Sequence, residues 1–70
     1  MRRFLVVIEQ TDTGFSAYSP DLCGCVATGP TREETEKNMH EAIQFHIDGL
    51  NEDRLVIPEN RSFAEYMAVA

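Results

Sequence analysis

The stretch Thr31–Leu50, TREETEKNMHEAIQFHIDGL, is the one long periodic segment of the chain, and its reading decides the fold. Met39, Ala42, Ile43, His46, Ile47 and Leu50 recur at the three- and four-residue steps that share one side of a helix, while Glu34, Lys37, Glu41, Gln44 and Asp48 fall elsewhere. Thr31 followed by Glu34 has the spacing of a capping box, and Pro30 just before it favours an abrupt start. The polar run Asn51-Glu52-Asp53 is expected to end the helix, with Gly49 loosening its last turn.

Three short strands are expected ahead of this helix. Arg3–Gln10, RFLVVIEQ, is β-branched and aromatic, and Thr11-Asp12-Thr13-Gly14 reads as a turn in which Gly14 is free to take a positive φ and Asp12 is able to bond nearby backbone. Phe15–Ser19 then returns as the second strand of a hairpin, stopped by Pro20, which has no amide hydrogen for the ladder. Pro20, Asp21, Leu22 and Gly24 shape a tight connection into a third strand, Cys25–Thr28. In the first strand Phe4, Val6 and Ile8 point one way and Leu5 and Val7 the other, so the sheet carries apolar side chains on both faces. A helix covers only one face; a second copy or another partner would cover the other.

Beyond the helix, Leu55-Val56-Ile57 is a brief apolar anchor ended by Pro58. In the tail from Phe63, Ser62 could cap a helical turn through Glu65, or Tyr66–Val69 could add a fourth strand. The order β-β-β-α-β defines an α+β fold in a single domain over residues 1–70, with an antiparallel sheet on one side of a helix. A chain of this size buries only about 60% of the surface its unfolded form exposes, so help from a second subunit is expected.

The formal net charge is −6, and residues 31–54 hold seven acids against three bases. That balance argues against direct contact with a nucleic-acid backbone and favours a basic protein surface as partner. No apolar run approaches the roughly 20 residues of a membrane span, and no signal-peptide cleavage site follows the N-terminus. A cytoplasmic location is expected. Cys23 and Cys25 are too close for a relaxed disulfide and read as reduced thiols.

Chemistry-bearing motifs are missing. There is no phosphate-binding glycine loop and no nucleophile elbow. Helical geometry turns His40 and His46 apart by about two-thirds of a turn, so they do not share a metal from one face. Structural zinc needs more ligands and a wider spacing than Cys23-x-Cys25. His46 falls on the apolar face as a packing residue, and Glu33 and Glu34 favour the positive end of the helix dipole. No catalytic residue, metal or cofactor is assigned.

The pattern resembles the HicB-type antitoxins. The resemblance rests on FLVVIE, on Tyr18-Ser19-Pro20-Asp21-Leu22-x-Gly24-Cys25 followed by Gly29 and the Thr31 cap, on EAIQFHIDGL, and on the proline in VIPEN; it covers about residues 3 to 60. It implies a partial RNase-H-like or double-stranded-RNA-binding-domain-like β-β-β-α-β arrangement. It also implies neutralisation, by direct binding, of a HicA-like toxin, a small basic protein that cleaves messenger RNA; the antitoxin itself is no nuclease. Two departures stand out. Family members usually carry proline where this chain has Cys23, and the residues after Glu59 are too few for an appended operator-binding domain.

On this reading Asp21, Glu33 and Glu41 meet basic side chains of the toxin, and the protein self-associates as a homodimer or higher oligomer. The rival readings are an orphan domain that binds another protein or a small ligand, and a small enzyme on the same scaffold.

Overall fold

The structure, a computed structural model, describes residues 2–70. Strands β1 (Val7–Gln10), β2 (Phe15–Tyr18) and β3 (Val26–Gly29) precede one helix, α1 (Arg32–Glu52). The strands form an antiparallel sheet in the order β1-β2-β3. This is the α+β arrangement the sequence predicts, except that no fourth strand or second helix follows α1 among the described residues. The tail from Phe63 has neither the helical turn nor the strand read for it, and of the expected apolar anchor Leu55–Ile57 only Ile57 is half-buried, Leu55 and Val56 being exposed.

The register sorts side chains by face. Ile8, Ala17 and Ala27 stand opposite one another, and all three belong to or pack on the core with Leu22, Cys25 and Met39. Small residues at the centre of this inner face let α1 come close. Gly29 is the extreme case: a Cβ there would sit 2.7 Å from the Oγ1 and 2.9 Å from the backbone N of Thr35, which is itself fully buried. On the outer face, Val7, Tyr18 and Val26 line up across the three strands, and Tyr18 and Val26 are exposed. The second apolar face read from the first strand is therefore present, half-buried at Leu5 and Val7 and open at Tyr18 and Val26 within one copy.

Two details of the turns differ from the sequence reading. Gly14 does not have a positive φ; Gly24 does, at 78°. Gly14 is needed because the carbonyl of Gly29 and the Cα of Pro30 press against the place a Cβ would take. The β1–β2 turn is closed by Thr11 rather than Asp12: the Thr11 amide donates to the Gly14 carbonyl at 2.7 Å, and the Gly14 amide to the Thr11 hydroxyl at 3.1 Å.

The helix starts where expected. Thr31, with extended backbone, accepts from the Glu34 amide at 3.1 Å, the N-cap half of the capping box. Thr35 adds a hydroxyl bond back to the Thr31 carbonyl at 2.7 Å, and the Asn38 side chain donates to the Thr28 carbonyl at 2.9 Å, tying α1 to β3.

The end lies at Glu52, within the polar run expected to stop the helix. Leu55 donates to the Leu50 carbonyl at 2.9 Å and Arg54 to the Asn51 carbonyl at 3.1 Å, the paired bonds of a Schellman motif. The left-handed position, φ 57°, is held by Arg54 instead of glycine. Asn51 and Glu52 are ordinary helical residues, so the stop comes from this motif and not from their polarity.

Candidate partner-binding surface

Because α1 packs chiefly on β3 and β2 and touches β1 least, the sheet and helix diverge on the β1 side. A groove of about 630 Å³ opens there between Phe4, Val6 and Ile8 and the helix residues Met39, Ile43 and Ile47, with Arg2, Glu36 and His40 at its rim. β1 is also an edge strand, and residues 2–6 precede its paired span. The most open apolar surface of the packed body is thus an edge and a groove side by side.

The solvent face of α1 is the second feature. Glu33 and Glu41 are both exposed, as are Glu34, Glu36 and Asp48. Eight residues of helix separate Glu33 and Glu41 by about 12 Å along the axis. Lys37 lies between them, Arg32 pairs with Glu36 at 3.1 Å, and Gln44 donates to Asp48 at 3.0 Å. Glu33 and Glu41 take part in neither contact.

Asp21 behaves differently. It sits half-buried in the β2–β3 connection, where its Oδ2 accepts from the amides of Arg61 (2.9 Å) and Ser62 (3.0 Å) and its Oδ1 from the Ser62 hydroxyl (3.0 Å). Partial desolvation pushes the carboxyl up, but the Ser62 and Arg61 hydrogen bonds and the nearby Arg61 charge together outweigh it and hold the group below its ordinary value. Its oxygens bind the tail of its own chain. Asn60 makes the adjoining link, accepting from the Leu5 amide at 2.9 Å. The sequence reading had no role for Asn60, Arg61 and Ser62 as a clamp; three polar residues after a proline give no sign of which distant group they meet.

The rest of the connection is built inward. Leu22 is almost wholly buried and plugs the core, Gly24 supplies the left-handed turn, and Pro20 is exposed. Leu22 and Cys25 donate to the Ser19 and Leu22 carbonyls at 3.1 and 3.2 Å. Cys25 is buried, which raises its thiol pKa, whereas Cys23 is exposed; both are free. His40 is exposed and His46 half-buried. Among the described residues no group of three His, Cys, Asp or Glu side chains is placed to hold a metal, and no helix is long and apolar enough to cross a membrane.

The family profile described as HicB_like antitoxin of bacterial toxin-antitoxin system matches residues 4–70. The chain belongs to the HicB-like antitoxin family. Its three antiparallel strands and long helix superpose on a chain of a solved HicA3 and HicB3 toxin-antitoxin complex with a TM-score of 0.67, at 31% identity over 83% of this chain and 72% of that one. Sequence relatives of this HicB-like chain include an uncharacterized 14.9 kDa protein in the rep-hol intergenic region of Haemophilus phage HP1, 36% identical over 62 residues, 89% of this chain and 47% of that protein. A UPF0150 protein of Helicobacter pylori is 41% identical over 49 residues, 70% of this chain and 68% of that one. The chain therefore spans about half the length of its phage relative.

Proposed function

We propose that this HicB-like chain is the antitoxin of a toxin-antitoxin pair and neutralises a HicA-like toxin by direct binding. The observation that carries the reading is the match over residues 4–70 to the antitoxin family, supported by the fold shared with a chain of a HicA3 and HicB3 complex. The exposed acids of α1 support a basic partner surface, and the family's antitoxin role supports binding instead of catalysis. Glu33 and Glu41, exposed and outside both side-chain pairs of that face, would meet basic groups of the toxin. Asp21 contributes by fixing the tail and the turn it leaves from.

Co-expression with a HicA-like toxin tests the reading through growth rescue and co-purification. The double variant Glu33→Lys, Glu41→Lys is expected to weaken the complex at least about tenfold and to flatten its salt dependence, since each reversal replaces attraction by repulsion at the rim. Unchanged affinity and salt slope would remove these two residues from the interface. Failure of the unaltered chain to rescue or co-purify would remove the toxin itself.

A further inference from the structure

Residues 63–69 form a mostly apolar segment without regular structure, and its large side chains are exposed. Phe63 is 89% and Val69 90% exposed, Tyr66 is fully exposed and Met67 nearly so. None of these residues makes a backbone hydrogen bond among the described residues. The clamp of Asp21 on Arg61 and Ser62, with Asn60 on Leu5, fixes the root of the segment beside residues 3–6, where Phe63, Ala64 and Glu65 border a shallow depression while the apolar side chains beyond stay exposed. A single copy thus holds both an unpaired strand-forming segment and, next to an edge strand, an apolar groove open enough to take one.

We infer that two copies of this chain exchange their tails, with Phe63–Val69 of each adding as a fourth strand to β1 of the other. Alternation along an extended strand accounts for both uncovered surfaces at once. Phe63, Glu65, Met67 and Val69 fall on one side, where the three apolar side chains fill the groove over Val6, Ile8 and Ile43 and Glu65 meets Arg2 at its mouth, while Tyr66 falls on the other side and extends the outer row of Val7, Tyr18 and Val26.

Charge and size agree with a second copy as the occupant. The chain carries net −6, yet the rim of the groove carries Arg2 and His40 beside the single acid Glu36, the adjoining depression carries Arg3, and the tail that would enter brings one charged side chain, Glu65. Burying Phe63 and Tyr66 in both directions removes roughly 600 to 1,000 Å² from water, and Met67, Val69 and the groove walls bring the total into the range of a standard interface. Main-chain bonds along β1 supply the register, as in other strand additions.

The test is the solution mass of the unaltered chain and of a Met67→Asp, Val69→Asp variant, by light scattering at micromolar concentration. The unaltered chain is expected at twice 7.9 kDa. The variant is expected to be monomeric with its helix signal intact, its self-association weakened at least about 100-fold, because each carboxylate would have to enter the apolar groove unpaired. Both substituted side chains are exposed within one copy, so the monomer has no reason to unfold.

A second measurement uses a mixed sample in which only one population is isotope-labelled, where contacts between Val69 and Ile43 methyls are expected between copies. A monomeric unaltered chain, a variant that stays dimeric, or Val69 contacts confined to one copy would each overturn the exchange. A monomer that dimerises only with toxin present would instead assign the groove to the toxin. Toxin rescue is read separately, so the antitoxin reading and the tail exchange fail independently.

Discussion

Met39 and Met67 are the same side chain in two settings, and the difference between them divides the molecule. Met39 stands at the centre of α1, 1% exposed, enclosed by Ala17, Leu22 and Cys25 and by the half-covered Val6 and Ile8. Met67 stands in the tail, 79% exposed. From β1 to the Schellman motif, the turns, caps and close approaches are mostly satisfied by residues near at hand or by the layer above, the exceptions being the buried Ser19 hydroxyl, which has no partner among the described residues, and Asp21, which reaches to the tail. Past Leu55 the chain is held at Asn60, Arg61 and Ser62, and its large apolar side chains face outward. The body is a folding unit; the tail has the composition of a core strand without the core.

The largest expected effect tests that division directly. Met39→Ala should lower the unfolding free energy by about 2 to 5 kcal/mol, the usual range for emptying a well-packed site, and in a 70-residue domain that is a large share of the total. Met67→Ala, measured by urea unfolding at a dilution where the chain is monomeric, should stay within about 0.5 kcal/mol of the parent. Equal losses at the two positions would mean that the tail packs on its own body and that the contrast is false.

The same division explains what the sequence makes legible. The body obeys short-range rules: periodicity places Met39, Ile43 and Ile47 on one face, Thr31 and Glu34 mark the start of the helix, and Pro20 and Gly24 bracket the connection. The tail depends on partners about 40 positions away, such as Asp21 with Arg61 and Ser62, and spacing carries no trace of such a link. Asp21 shows the cost of reading charge without geometry. As a letter it joins Glu33 and Glu41 as an acid offered to a basic partner; in the fold its oxygens are taken up by its own chain. The end of the helix falls within the polar run Asn51-Glu52-Asp53, but the turn that stops it is not legible, since an arginine in the left-handed position gives no glycine to mark it.

Arg54 marks the border between the two regions, and it offers the next measurement. A side chain in the left-handed region costs about 1 to 2 kcal/mol, and glycine removes that strain while adding roughly 0.5 to 1 kcal/mol of unfolded-state freedom. Arg54→Gly should therefore raise stability by about 0.5 to 1 kcal/mol and Tm by a few degrees. Arg54→Val should do the reverse, because a β-branched residue tolerates positive φ least. If glycine instead lowered Tm, the carbonyls of Leu50 and Asn51 would not depend on this turn for their partners.

The smallest expected effect is local and depends on pH. The Asp21 carboxyl lies lower in the fold than in the unfolded chain, where it is close to 3.9. Its contribution is therefore complete above that value and disappears as pH falls through the lower, folded value. The amide resonances of Arg61 and Ser62, which donate to this carboxylate, should hold their neutral-pH positions down to about pH 4 and then move together toward those of a free chain, while the resonances of Thr35 and Met39 stay in place. Asp21→Ala should bring Arg61 and Ser62 to the released positions at every pH, because no side-chain oxygen is left to accept their bonds. Were the Arg61 and Ser62 resonances the same in Asp21→Ala and the parent at neutral pH, the clamp would be absent in solution and the tail would leave the body at Asn60, too loosely directed to present a strand to a second copy.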